Sequence, residues 1–319
     1  MWHRAPQPGT RTMHLSIVTT LYRSASHLAE FHRRISEAAE KVSSDYEIVF
    51  VNDGSPDDSQ RVAEELADTD PRLTVIELSR NFGHHKAIMT GLAAATGEWI
   101  FLIDCDLEEP PELLQRFYDE ANAEALDVVY GVQEKRKGAL FERVTGAVFY
   151  WLINKLSTYP VPTNLVTARI MRRSYVASLV QHRDQELFLA GLWAITGYRQ
   201  RGMRIKKLSL SPTAYTMGRK IWNLVNAITS FSTKPLTFIF LLGCIISALA
   251  GCAGLYLVIR RLFFGTLLEG WASLIVSIWF LGGLSIFSLG IIGIYLSKIF
   301  IETKPRPYTI IRSTTRITR

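Results

Sequence analysis

Cysteine is scarce in this chain of 319 residues, with three copies at Cys105, Cys244 and Cys252. None is spaced like a disulfide framework or a zinc set, which excludes the small disulfide-stapled class and agrees with a reducing compartment. No Gly-x-Gly-x-x-Gly follows any predicted strand, so the usual dinucleotide-binding fold is set aside. The net charge is +7, yet no nucleic-acid motif and no interleaving of basic and aromatic residues accompanies it. A nucleic-acid partner is therefore not expected. Charge itself is missing from two long runs, Pro235 to Ile259 and Gly270 to Ser297. As helices these would be roughly 37 and 42 Å long, against a hydrocarbon core of about 30 Å. Both suit membrane spans, the second with tilt.

The connector from Arg260 to Trp271 is short, so the spans, about 235–259 and 271–297, predict a transmembrane hairpin at residues 235–298 with both chain ends on one side. Lys234, Lys298, Lys304, Arg306, Arg312, Arg316 and Arg319 flank its open end, against Arg260 and Arg261 in the connector. With no signal peptide ahead of the soluble part, this bias predicts an inner-membrane, multi-pass protein whose catalytic part and termini are cytoplasmic. Most of the basic excess then faces a membrane surface.

The soluble part is organised around Glu98-Trp-Ile-Phe-Leu-Ile-Asp-Cys-Asp-Leu-Glu-Glu-Pro-Pro-Glu112. Trp99 to Ile103 is an apolar run of strand length, as in a parallel strand covered on both faces. Asp104 and Asp106 end it, and in extended chain residues two apart face the same side. Both carboxylates can therefore face one ion while Cys105 points away. Pro110 and Pro111 stop strand pairing and suit a first helical turn. Two acids at a strand's carboxyl end read as a site for Mg²⁺ or Mn²⁺, completed by water and substrate phosphates. Helix capping would leave the same spacing.

Residues 1–13 lack periodicity and read as a disordered leader. Strands are then predicted at His14–Leu21, Tyr46–Asp53, Arg72–Ser79, Trp99–Ile103 and Leu126–Gly131. Helices are predicted at Leu28–Val42, after Ser55 with Pro56 at the first helical position, at Ala87–Thr96 and at Pro111–Ala121. Five strands alternating with four helices predict an α/β, doubly wound parallel sheet with right-handed crossovers. Asp53, where the second strand ends, either stabilises its turn or binds the base or ribose of a nucleotide. Further on, Ala168–Met171 and Arg204–Leu210 read as edge strands and Gln185–Thr196 as a helix. Two basic-aromatic segments, Phe141–Leu156 and Arg219–Phe231, suit amphipathic helices lying in a membrane interface, with core packing as the alternative. The resulting division is a catalytic domain at 14–216, an interfacial helix within 217–234, the hairpin, and a basic, extended tail at 299–319.

Four stretches together resemble a known family: Val51-Asn-Asp-Gly-Ser55, Ser79-Arg-Asn-Phe-Gly-His84, Asp104-Cys-Asp-Leu-Glu-Glu-Pro-Pro-Glu112 and Phe231-Ser-Thr-Lys-Pro-Leu236. The soluble part resembles the family 2 glycosyltransferases of the GT-A fold. The whole chain, from about residue 14 to 308, is similar to their polyisoprenyl-phosphate branch, which includes dolichol-phosphate mannose synthases and bacterial undecaprenyl-phosphate glucosyltransferases. The resemblance implies a GT-A-type, mostly parallel sheet followed by interfacial helices and the hairpin. It implies a UDP- or GDP-linked sugar donor touching Thr20, Tyr22, Asp53, Asp104 and Asp106, with a metal at the last two. It places a lipid phosphate at Lys135, Arg136, Lys137 and Arg143, counts Arg143 and Arg169 with the two acids as catalytic, and implies a homo-oligomer, a tetramer. Thr20-Leu-Tyr-Arg-Ser24 stands where the family often has Pro-x-Tyr-Asn-Glu. Asn164-Leu-Val-Thr-Ala-Arg169 replaces an Asp-Ala-Gly-Asp-Phe-Arg stretch and keeps only its arginine. Loops of this kind choose the sugar.

A phosphate acceptor, with a second pKa of about 6, is already anionic at neutral pH and needs no general base. A hydroxyl acceptor on a lipid-linked saccharide would need one, for which Asp184 or Glu186 would serve. A processive polysaccharide synthase is disfavoured by the small number of spans and the lack of a Gln-x-x-Arg-Trp motif. A non-catalytic recruitment module is disfavoured by the intact acids.

Overall fold

The computed structural model describes residues 14–134, 155, 164–208, 229, 232–264, 270–304 and 306–316. The chain divides into two compact units, one of Met1–Tyr150, Val161–Tyr215 and Arg306–Arg319, the other of Trp151–Pro160 and Thr216–Pro305.

The first unit is built on one sheet. Its strands are β1 (Leu15–Leu21), β2 (Tyr46–Asn52), β3 (Leu73–Leu78), β4 (Trp99–Leu102), β5 (Val128–Gln133), β6 (Leu165–Arg172), β7 (Gln200–Ile205) and β8 (Ile311–Thr315). Their order is β7-β5-β6-β4-β1-β2-β3-β8. β4, β1, β2 and β3 run parallel, in register from Leu15 opposite Trp99 on one side and Tyr46 on the other. Every residue of β1, β2 and β4 is buried, as both-face coverage of central strands requires. The covering helices are α1 (Leu28–Val42), α2 (Ser59–Thr69), α3 (His84–Ala94) and α4 (Leu113–Ala123), with the short α5 (Arg173–Leu179) and α6 (Leu189–Ile195) later. Leu28, Phe31, Ile35, Ala38 and Ala39 recur at helical spacing and form the buried stripe of α1.

Several local expectations are corrected. The segment around Ala168–Met171 is not an edge strand: β6 lies between β4 and β5, antiparallel to both. β5 thus keeps the direction expected from the alternation but is not β4's neighbour. The predicted strand at Arg204–Leu210 is displaced toward the N-terminus, since β7 ends at Ile205. The helix expected across Gln185–Thr196 is confined to Leu189–Ile195. Pro56 does not open α2. The Asp57 carboxylate accepts from the Ala25 and Ser59 N–H groups and the Ser55 and Ser59 hydroxyls, so residues 55–58 form a turn and the helix starts at Ser59. Those bonds hold the Asp57 carboxyl down at about 2, although burial opposes them. The tail is not merely extended, because β8 adds antiparallel to β3 and closes that edge of the sheet.

The second unit contains α7 (Lys234–Phe264) and α8 (Trp271–Glu302). Within them Lys234–Tyr256 and Leu274–Glu302 are long and apolar enough to cross a membrane, and no residue of either apolar window is buried. Phe238, Phe240, Leu262 and Trp279 are among the exposed side chains. A surface this apolar marks a membrane or protein interaction site. Tyr295 Oη donates to Ser232 O at 2.6 Å, and Lys234 Nζ donates to Lys155 O at 2.7 Å. Apart from Lys155 and Thr229, the two basic-aromatic segments lie outside the described residues, as do the leader at 1–13 and the basic residues Lys135, Arg136 and Lys137.

Candidate active site

The carboxyl ends of β1, β2, β3 and β4 form one rim, the place where open α/β sheets bind ligands. Thr20 lies near the end of β1, Asp53 follows β2, α3 begins after β3, and Asp104 follows β4 by two residues.

Asp104 and Asp106 leave β4 in a turn in which Leu107 takes φ 59°. Cys105 between them points inward, as the spacing predicts, with Sγ 3.2 Å from both Thr20 O and Ser24 Oγ. Burial pushes its thiol up to about 12, so it is not a nucleophile at neutral pH. Asp106 Oδ1 accepts the Glu108 N–H at 2.9 Å. Burial raises the Asp106 carboxyl above its ordinary range, and the neighbouring charge of Asp104 adds to the rise.

His84 joins two strand ends. Its Nε2 lies 3.5 Å from Asp104 Oδ1 and its Nδ1 3.0 Å from Thr20 Oγ1. The next residue, His85, donates from Nδ1 to Leu187 O at 3.1 Å, bringing the loop of Asp184 and Glu186 to the first turn of α3. Phe82 to Lys86 and Leu187 line a cavity of about 290 Å³.

Asp53 is buried, and its two oxygens accept the Phe82 N–H (2.7 Å) and the Gly83 N–H (3.0 Å). Burial raises its carboxyl above the usual range against the pull of those bonds. Its visible work is to hold the loop that delivers His84. Gly54, at φ 59°, lets that loop approach, because a Cβ there would lie 2.5 Å from Arg80 C and Asn81 N. Tyr22 is exposed on the rim, with Arg23 5.7 Å from its ring centroid.

Behind the acids lies a buried charge cluster. Glu109 is 0% exposed and accepts the Ala168 N–H at 2.8 Å and the Thr167 N–H at 3.3 Å. Lys207 Nζ lies 3.7 Å from Glu109 and 3.1 Å from Glu108. Burial, with the charge of Asp104 adding, pushes the Glu109 carboxyl up to about 7. Arg169 is also buried. It donates to Thr167 O and Val166 O, both at 3.2 Å, and its guanidinium stacks 3.0 Å from the centre of the Trp193 ring. Burial lowers its pKa to about 9. Arg169 is thus enclosed away from solvent.

Among the described residues no group of three or more His, Cys, Asp and Glu converges on one point. What remains is a pair of carboxylates, one of them destabilised as an anion by burial and by its neighbour. That donor set fits a hard divalent cation such as Mg²⁺ or Mn²⁺, which takes one or two carboxylates and fills its other positions with water and phosphate. Lys135, Arg136, Lys137 and Arg143 lie outside the described residues. His84 and Glu109 were absent from the sequence-derived set, although both sit inside stretches that carried the resemblance.

A mostly parallel sheet with an acidic turn at its carboxyl rim places that turn where open α/β sheets bind ligands. Residues 16–180 match the family described as glycosyl transferase family 2. The chain is 52% identical to a protein described as putative glycosyltransferases from Mycobacterium tuberculosis (strain CDC 1551 / Oshkosh), over 94% of this chain and 88% of the relative. It is 34% identical to an uncharacterised glycosyltransferase of Bacillus subtilis (strain 168), over 95% and 94%. It is 32% identical to a prophage bactoprenol glucosyl transferase homolog of Escherichia coli (strain K12), over 94% and 99%. The chain belongs to glycosyl transferase family 2 and is a glycosyltransferase.

Proposed function

We propose that this protein moves a sugar from a UDP- or GDP-linked donor to a polyprenyl phosphate at the cytoplasmic face of a membrane, with inversion at the anomeric carbon. The observation that carries the reading is the likeness to a bactoprenol glucosyl transferase homolog over 94% of this chain, because that span takes in the two apolar helices as well as the acidic turn.

The chemical problem is electrostatic, since an anionic acceptor must approach an anionic diphosphate. Asp104 and Asp106 would hold Mg²⁺ or Mn²⁺, which when bound supplies Lewis acidity and a template for the departing diphosphate. Glu109 and Asp53 fix the two loops that meet there, one carrying the acids and the other His84. Thr20 orients His84 beside Asp104. The acceptor phosphate needs no base, since its oxygen is anionic at neutral pH. Lys135, Arg136, Lys137 and Arg143 offset the repulsion by charge-assisted hydrogen bonds, and positioning supplies much of the rate. Thr20, Tyr22 and Asp53 form the nucleotide side of the cleft. The two apolar helices anchor the unit in the membrane as a hairpin with both termini cytoplasmic, and the protein assembles as a homo-oligomer.

The test is incubation of purified protein with a panel of nucleotide sugars, polyprenyl phosphate and Mg²⁺ or Mn²⁺, reading organic-extractable sugar. One donor should yield a lipid-linked sugar. Transfer to a saccharide hydroxyl, with polyprenyl phosphate inert and Glu186→Gln or Asp184→Asn inactive, would establish the hydroxyl-acceptor reading instead.

A further inference from the structure

The tail does more at the sheet than close an edge. Edge closure is the work of β8, whose residues Ile311 to Thr315 pair with Leu78 to Val75. Arg312 and Ser313 add contacts of 3.1 and 2.8 Å to Glu77. The preceding residues reach elsewhere. Thr309 Oγ1 lies 2.8 Å from Thr90 Oγ1, on the helix that begins with His84. Lys86 Nζ lies 5.6 Å from the centre of the Tyr308 ring. Gln185 Nε2 donates to Arg306 O at 3.2 Å. Residues 306–309 therefore touch two elements, α3 and the 184–187 loop, which also meet each other at His85 and Leu187. Both elements border the cavity of about 290 Å³ beside Asp104.

We infer that Arg306–Thr309 is a positioning strap for the cleft: it clips α3 to the 184–187 loop, and Thr309 fixes α3, and so His84, relative to Asp104. A helix moves as a unit, so a bond at Thr90 constrains the imidazole six residues earlier. The inference rests on the reading that this cleft takes the nucleotide sugar. Thr309 is a positioning residue, acting through Thr90 and His84.

The experiment uses the full chain in lipid nanodiscs, with the nucleotide sugar that the wild type turns over and polyprenyl phosphate. Thr309→Val removes the hydroxyl at nearly constant volume. It should raise the KM for the nucleotide sugar about threefold to tenfold, the worth of one hydrogen bond, while the KM for polyprenyl phosphate and the thermal midpoint stay put. Thr309→Ser should restore the wild-type value. A second variant, Gln185→Leu, should move the same constant in the same direction. An unchanged nucleotide-sugar KM in both variants, or an equal loss for both substrates together with a lower midpoint, overturns the strap. A wild-type protein that neither binds nor turns over any nucleotide sugar overturns the donor-cleft reading, and the strap falls with it.

Discussion

Glu109→Ala tests whether the buried carboxylate behind the acidic turn holds that turn in place. Removing it leaves the buried Ala168 N–H and the partly buried Thr167 N–H without their acceptor. An orphaned buried donor costs about 1–3 kcal/mol. The longer of the two bonds is the weaker, so the loss should be about 2–4 kcal/mol. The pH dependence supplies the sharper check. Burial raises the Glu109 carboxyl from an ordinary 4.5 to about 7, so between those values the folded state holds a proton that the unfolded state releases. Its stabilising contribution is thus fully present below about 4.5 and is lost as pH rises through about 7. Alanine does not titrate. The gap between wild type and Glu109→Ala should accordingly be larger at pH 5 than at pH 8, and Glu109→Gln should remove most of that pH dependence. Thermal unfolding of the full chain in detergent, followed by tryptophan fluorescence without divalent ions, reads the gap directly. A gap under about 0.5 kcal/mol at pH 5, or one that widens with pH, would refute the reasoning.

Asp106→Asn should abolish transfer and leave the thermal midpoint nearly unchanged, because an amide cannot supply the second anionic ligand; wild-type turnover in chelator would contradict this. Arg143→Ala, and separately Arg136→Ala with Lys137→Ala, should raise the KM for polyprenyl phosphate about tenfold to a hundredfold, or roughly 1.5–3 kcal/mol, and leave the donor KM alone. If only donor binding weakened, these basic residues would belong to the nucleotide sugar. A cysteine introduced at Gly265, in a background with Cys244 and Cys252 replaced by serine, should be labelled by an impermeant reagent from the outer face; labelling only from the cytoplasmic face would reverse the topology.

Much of the sheet was legible because its central strands are mostly apolar runs of strand length, and Trp99 to Ile103, the one without a polar residue, ends in two acids. Local pattern failed where the deciding partner is distant in sequence. β6 reads like an edge, with Thr167, Arg169 and Arg172 along it, yet it pairs with β4 and β5 at the centre. Its buried arginine is accommodated by Trp193, a contact that no spacing rule contains. The β8 strand hides for the same reason, since its alternation in Ile311-Arg-Ser-Thr-Thr315 is short and its partner β3 lies far back in the chain. Pro56 misled because proline suits a turn as well as a first helical position, and the side chain of Asp57 settled the matter in favour of the turn. The pattern around Asp53 leaves a turn-former and a nucleotide contact equally open. The structure displays its grip on the loop before His84.

The central claim is that the acceptor is a phosphate presented from a membrane. Wild type and Asp106→Asn, each in nanodiscs with the active nucleotide sugar, can be offered polyprenyl phosphate and the corresponding polyprenol side by side, with product mass as the readout. The account predicts a sugar-phosphate-lipid from wild type alone and no product from polyprenol. Glycosylated polyprenol, or a phosphate lipid left untouched while a hydroxyl-bearing lipid is converted, would contradict it.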